Sequence, residues 1–146
     1  IRDRAVCPMT FPAGLAELDR MCSKYPDTTV IIDHMARIGE LGPVNEDELT
    51  QLCALARHPH VYVKLSRFHS LGNKRPPHDE LVPLIRKVVE TFGSERTMWG
   101  SDSPFQVLRE TYEDSISLVR DRLHFLSPTE REQILSGTSE RVFFQS

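Results

Sequence analysis

Apolar and polar positions along this chain switch between two periods. Residues 28–33, TTVIID, form a β-branched run without alternation, which predicts a strand buried on both faces. Residues 61–66, VYVKLS, and 97–102, TMWGSD, predict two more strands, and 5–9, AVCPM, a weaker one that Pro8 should end. Between these runs the apolar residues recur at helical spacing. Leu15, Leu18, Met21 and Cys22 predict a helix over 13–25. Leu49, Leu52, Cys53 and Ala56 predict another over 45–58, with Asn45 as N-cap and Glu48 three residues on. A third covers 79–93, with Pro83 in its first turn and Gly93 closing it. Helices over 112–126, 127–135 and 138–144 complete the set. Ser127, Pro128 and Glu130 read as N-cap, N1 and N3, and Gly137 as a stop.

The order β-α-β-α-β-α-β-α-α predicts parallel strands joined by crossover helices. It fits a small open α/β sheet or part of a (β/α)8 barrel. No GxGxxG or GxxxxGK[ST] loop occurs, which weakens a nucleotide-binding version of the open sheet. With 146 residues, 39% hydrophobic and 27% charged, the chain suits one globular domain. A net charge of −3 argues against a nucleic-acid partner, and the apolar runs are too short to span a membrane. The opening residues carry charges where a secretory signal needs an apolar stretch. Cys7, Cys22 and Cys53 follow no zinc-binding or CxxC spacing and are expected to be buried thiols in a reducing compartment, the cytoplasm. The chain starts on Ile1, its RAVCPMTF stretch reads like the end of a strand running into a loop, and it is expected to be a piece of a longer protein.

The chemical signal lies where the predicted strands end. One ends in Asp33-His34. The next carries Lys64 and ends in Ser66-Arg67, with His69 close behind. The last stops on Ser101-Asp102. In a parallel α/β fold these C-terminal ends share one rim, where substrates and metals bind. Each residue also has an ordinary reading: His34 as a hydrogen-bonded core histidine, Asp33 and Asp102 as caps or turn formers, Arg67 and His69 as surface loop. Lys64 either forms a buried ion pair or points into the site, and Ser66 shares its face. His58 and His60 flank Pro59 at the opposite strand end and are expected on the surface, as are His78 and His124.

The stretches VIIDHMARIG, HPHVYVKLSRFHSLG, FGSERTMWGSDSPF and ILSGTSERVFF together resemble the C-terminal half of the amidohydrolase-related family of metal-dependent hydrolases, in its lactonase and decarboxylase-like branch. The resemblance runs from about residue 5 to 145. It implies that residues 1–146 hold about strands five to eight of a (β/α)8 TIM barrel, with the family's first-strand HxH upstream. In that pattern His34 matches the histidine ending strand six and Asp102 the aspartate ending strand eight. The resemblance implies that Asp102 is a general base for water, with His34 either polarising a lactone carbonyl or binding a divalent metal together with Asp102, zinc being the metal that suits such ligands. It leaves room for a metal-independent lactonase. Arg67, with Lys64, Ser66 or His69, would bind a small carboxylated or cyclic substrate. The expected activity is opening of a lactone or similar cyclic ester or amide. A metal-dependent decarboxylase and a non-catalytic half barrel are the alternatives. The half alone is expected to be inactive and to self-associate through its open edges. Ser103 stands where the family often has an aromatic residue, in GSDWP, which leaves the pocket wall different here.

Overall fold

The computed structural model describes residues 5–144; the two ends of the expected 1–146 span lie outside that range. Three strands form a parallel sheet in sequence order: β1 (Val30–Ile32), β2 (Val61–Leu65) and β3 (Thr97–Trp99). Val30 pairs with Val61, and Val63 with Thr97, so the register places all three C-terminal ends on one rim. The weak first strand contributes only a single parallel bridge, Val6 to Val30. Pro8 explains this, since it has no amide hydrogen with which to continue the ladder.

Helices cover one face of the sheet. They are α1 (Leu15–Lys24), α2 (Glu46–Ala54), α3 (Val82–Phe92), α4 (Tyr112–Ser117), α5 (Pro128–Glu132) and α6 (Thr138–Phe143). Val30, Ile32, Val61, Val63 and Leu65 pack there with Leu52, Leu84, Ile85 and Val88 in one apolar core. Ile31 and Met98 are buried but stand apart from that core. Their register partners are Tyr62 and Lys64, so alternation puts these four on the opposite, inner face. Gly100 belongs there too. A Cβ at this position would come 3.1 Å from Lys64 Cδ and 3.6 Å from Ser66 Cβ, so a bare backbone lets the segments close up.

The helix ends follow the sequence closely. Asn45 Oδ1 accepts from the amides of Asp47 and Glu48, and Ser127 with Glu130 forms a reciprocal capping box. Pro83 sits in the first turn of α3, and Gly93 ends it at φ 79°, a conformation that costs glycine little. Gly137 does not stop its helix. The backbone widens into a π-helical turn over Gln133–Gly137 and continues directly into α6, with Gly137 at an ordinary helical φ of −57°. The helix expected over 112–126 likewise passes into a π-helical turn, Leu118–Arg122, before ending. Cys22 is buried and Cys53 half-buried, but Cys7 is exposed, with no strand among the described residues covering its segment on the outer side of β1.

Candidate active site

Each strand end leaves the sheet through a left-handed residue. After β1, four consecutive non-glycine residues, His34, Met35, Ala36 and Arg37, lie at φ 50° to 59°. After β2 and β3, Arg67 and Asp102 lie at φ 64° and 62°. Such conformations cost L-residues about 1–2 kcal/mol each. They persist only where surrounding structure enforces them, and they concentrate at functional sites. This backbone also cuts the predicted strands short: 28–33 ends at Ile32, 61–66 at Leu65, and 97–102 at Trp99.

The turns bring the predicted polar residues together. His34 Nδ1 lies 2.8 Å from Ser66 Oγ, which fixes the ring. Its Nε2 faces Asp102 Oδ1 at 3.6 Å, beyond hydrogen-bonding distance. The other oxygen, Oδ2, accepts from Arg67 Nη1 at 3.0 Å and lies 3.6 Å from His69 Nε2. Arg67 Nη2 donates onward to Glu40 Oε1 at 3.4 Å, and Glu40 also pairs with Arg37 at 2.6 Å. Lys64 forms an ion pair that is only half-buried: its ammonium donates to Asp33 Oδ1 at 2.5 Å, beside the cluster. The side chains of His34, His69 and Asp102 are 10%, 4% and 12% exposed. Burial pushes the proton affinity of both histidines down. For each, Asp102 pulls it partly back up while Arg67 opposes that pull. Both rings therefore favour the neutral form, with a lone pair available to accept a proton or ligate a cation.

This network leaves His34 Nε2 and Asp102 Oδ1 facing one another while the remaining atoms of both groups are tied back. The oriented ring, held through its second nitrogen, is the arrangement of a metal-ligating or acid–base histidine. These two donors fit part of a metal site. No cluster of three His, Cys, Asp or Glu side chains suited to a metal ion occurs among the described residues. A groove of about 710 Å³ opens beside the cluster and meets it only through Glu40, with Leu41, Val44, Asn73, Lys74 and Glu80 on its walls.

Several residues escaped the sequence reading. Glu40 carried no signal beyond its i,i+3 spacing from Arg37. His78, expected on the surface, is fully buried against Glu110, because the loop carrying it folds inward over Phe68. His58 is also mostly covered, paired with Asp19 at 2.8 Å, while His60 and His124 are exposed as expected. No signal identified Glu110.

Comparison with known proteins gives this arrangement its context. Residues 7–145 match the family profile described as Amidohydrolase. The L-fucono-1,5-lactonase of Burkholderia ambifaria is 32% identical over 94% of this chain and 47% of its own length. The 4-sulfomuconolactone hydrolase of Hydrogenophaga intermedia is 31% identical over 79% of this chain and 39% of its own. A crystal structure of an amidohydrolase from Burkholderia multivorans with bound zinc superposes with a TM-score of 0.81, at 25% identity, over 96% of this chain and 52% of that one. The chain thus spans about half the length of the curated relatives it matches.

Proposed function

The chain belongs to the amidohydrolase family, and from that premise we propose that it is the C-terminal half of a (β/α)8 barrel that hydrolyses a small lactone. The half-barrel reading is supported by the sheet's two edges. The outer edge of β1 receives only Val6, and the outer edge of β3 pairs with no strand among the described residues. Exposed apolar side chains crowd both sides: Val6, Met9 and Phe11 on one, Phe105, Val107 and Leu108 on the other. A closed barrel would cover such edges.

The observation that carries the chemistry is the open approach between His34 Nε2 and Asp102 Oδ1. Asp102 Oδ1 takes a proton from water as the oxygen attacks the lactone carbonyl carbon. Arg67, held by Glu40, keeps Oδ2 occupied and so presents Oδ1 to the water. Neutral His34 stands opposite, oriented by Ser66, and stabilises the oxyanion side or accepts a cation. Collapse of the tetrahedral intermediate breaks the ring C–O bond, and the leaving alkoxide takes up a proton to give the hydroxy acid. A divalent ion held by His34 Nε2 and Asp102, with ligands from outside the described residues, would supply a water whose pKa falls towards about 7. Arg67 and Lys64 are engaged with Asp102, Glu40 and Asp33, so a substrate carboxylate reaches them only by exchange. Ser66 and His69 line the same cluster and complete the set assigned to substrate contact and orientation. The decarboxylase alternative has only distant support, from decarboxylases that share the fold.

The test is an assay of the full-length protein on L-fucono-1,5-lactone, 4-sulfomuconolactone and unsubstituted γ- and δ-lactones, with and without chelator. Turnover of at least one lactone is expected, and its response to chelation decides between the metal-dependent and metal-independent forms. Failure on every lactone would remove the reading.

A further inference from the structure

One buried pair lies outside the proposed chemistry. His78 Nε2 lies 2.5 Å from Glu110 Oε2, and the two side chains are 0% and 1% exposed. His78 Nδ1 and Glu110 Oε1 have no hydrogen-bond partner among the described residues. Burying such a pair is expensive, and apolar residues of similar size often stabilise a fold better. Its position suggests what the expense secures.

His78 stands in the loop after β2, at a left-handed φ of 63°, and its ring packs on Phe68 with centroids 6.1 Å apart. Phe68 is the residue between Arg67 and His69. Glu110 closes the turn that begins at Asp102. The Gln106 amide donates to the Asp102 carbonyl at 3.2 Å, and the Glu110 amide to the Gln106 carbonyl at 3.1 Å. Gln106 Nε2 donates back to the Glu110 carbonyl at 3.3 Å, and Gln106 is itself fully buried. One end of the pair therefore bears on the Arg67–His69 segment and the other on the Asp102 turn.

We propose that His78 and Glu110 are positioning residues, a clamp that sets the distance between the loop carrying Arg67 and His69 and the turn carrying Asp102. The proposal rests on the lactonase reading of that cluster. Neither residue touches the reacting atoms. The pair fixes the relation of two loops that otherwise meet where Arg67 and His69 approach Asp102 Oδ2, and so keeps Asp102 Oδ1 aimed across at His34.

The experiment combines histidine-ring 1H–15N spectra with lactone kinetics on the full-length protein. In Glu110→Ala, kcat on L-fucono-1,5-lactone, or whichever lactone the wild type opens, is expected to fall about 10–100-fold with KM within a factor of about two, as for a small misplacement of a catalytic group. The ring signals of His34 and His69 are expected to shift as well. Glu110→Gln, which keeps an acceptor for His78, should recover most of both. The apolar double variant His78→Leu/Glu110→Leu covers the case in which Glu110→Ala does not fold, and should show the same loss. A folded Glu110→Ala or double variant with wild-type kcat and unmoved His34 and His69 signals would overturn the proposal and leave the pair a stabilising contact. If the wild type opens no lactone, the functional reading fails separately, and the ring signals alone decide the clamp.

Discussion

The two ends of the sheet spend their polar residues differently. At the N-terminal end, Arg96 donates to the carbonyls of Phe92, Ala56 and His58 at 2.9–3.1 Å, and Asp19 gathers Arg57 and His58. There the charged groups are absorbed by backbone carbonyls and by one another. At the C-terminal end, His34 and Asp102 are each anchored through one atom and left open at the other. The backbone differs in the same sense. His34, Arg67 and Asp102 are all left-handed, whereas Thr97, which opens β3 at the other end, has an ordinary extended backbone. Polar residues that serve stability saturate their bonds, while those poised for chemistry leave a facing pair open, on a backbone held against its preference.

That contrast is open to attack by mutation. The largest effect is expected at Asp102→Asn, which keeps the shape but cannot take a proton. Lactone kcat should drop about 10²–10⁴-fold, the usual contribution of a general base, with the folded spectrum unchanged. Arg67→Met should follow, since it frees Oδ2 and leaves Glu40 without one of its partners. A loss of about tenfold in kcat, with a smaller change in KM, would match loosened positioning. At the other end, Arg96→Met should cost about 2 kcal/mol in denaturant unfolding, because three partly buried carbonyls lose their charged donor. Its kcat at a temperature where it remains folded should equal that of the wild type.

The smallest effect concerns a helix cap. Hydrogen bonds from Ser127 hold the Glu130 carboxyl below its ordinary pKa. Its contribution is therefore present above the unfolded-state pKa, near 4.5, and disappears as pH falls through the lowered folded value. Melting temperatures of wild type and Glu130→Gln should differ at pH 7 and converge as the pH falls below the lowered folded value. A gap that persists in acid would assign the effect to packing instead.

Much of the fold was legible because its signals are local. Asn45, Pro83, Gly93 and the Ser127–Glu130 box act through their own backbones, and all four stand where the sequence placed them. The polar strand ends were legible for a topological reason, since parallel strands must deliver their C-termini to one rim. What sequence could not provide was conformation imposed by tertiary contact. His34 to Arg37 contain no glycine or asparagine, so nothing announces a left-handed turn there. His78 looked like a surface histidine because its burial depends on Phe68 and Glu110, ten and 32 positions away. Gly137 read as a stop because the π-helical turn that absorbs it depends on the packing of the helices around it.

The most direct measurement sets two variants of the full-length protein side by side, Asp102→Asn and Arg96→Met, each scored for kcat/KM on L-fucono-1,5-lactone, or whichever lactone the wild type opens, and for unfolding free energy. A catalytic rim on a structural base predicts a crossed result: the first loses rate and keeps stability, the second loses stability and keeps rate. If Asp102→Asn retains the wild-type rate, or if Arg96→Met loses rate as severely while still folded, the division of labour between the two ends is contradicted.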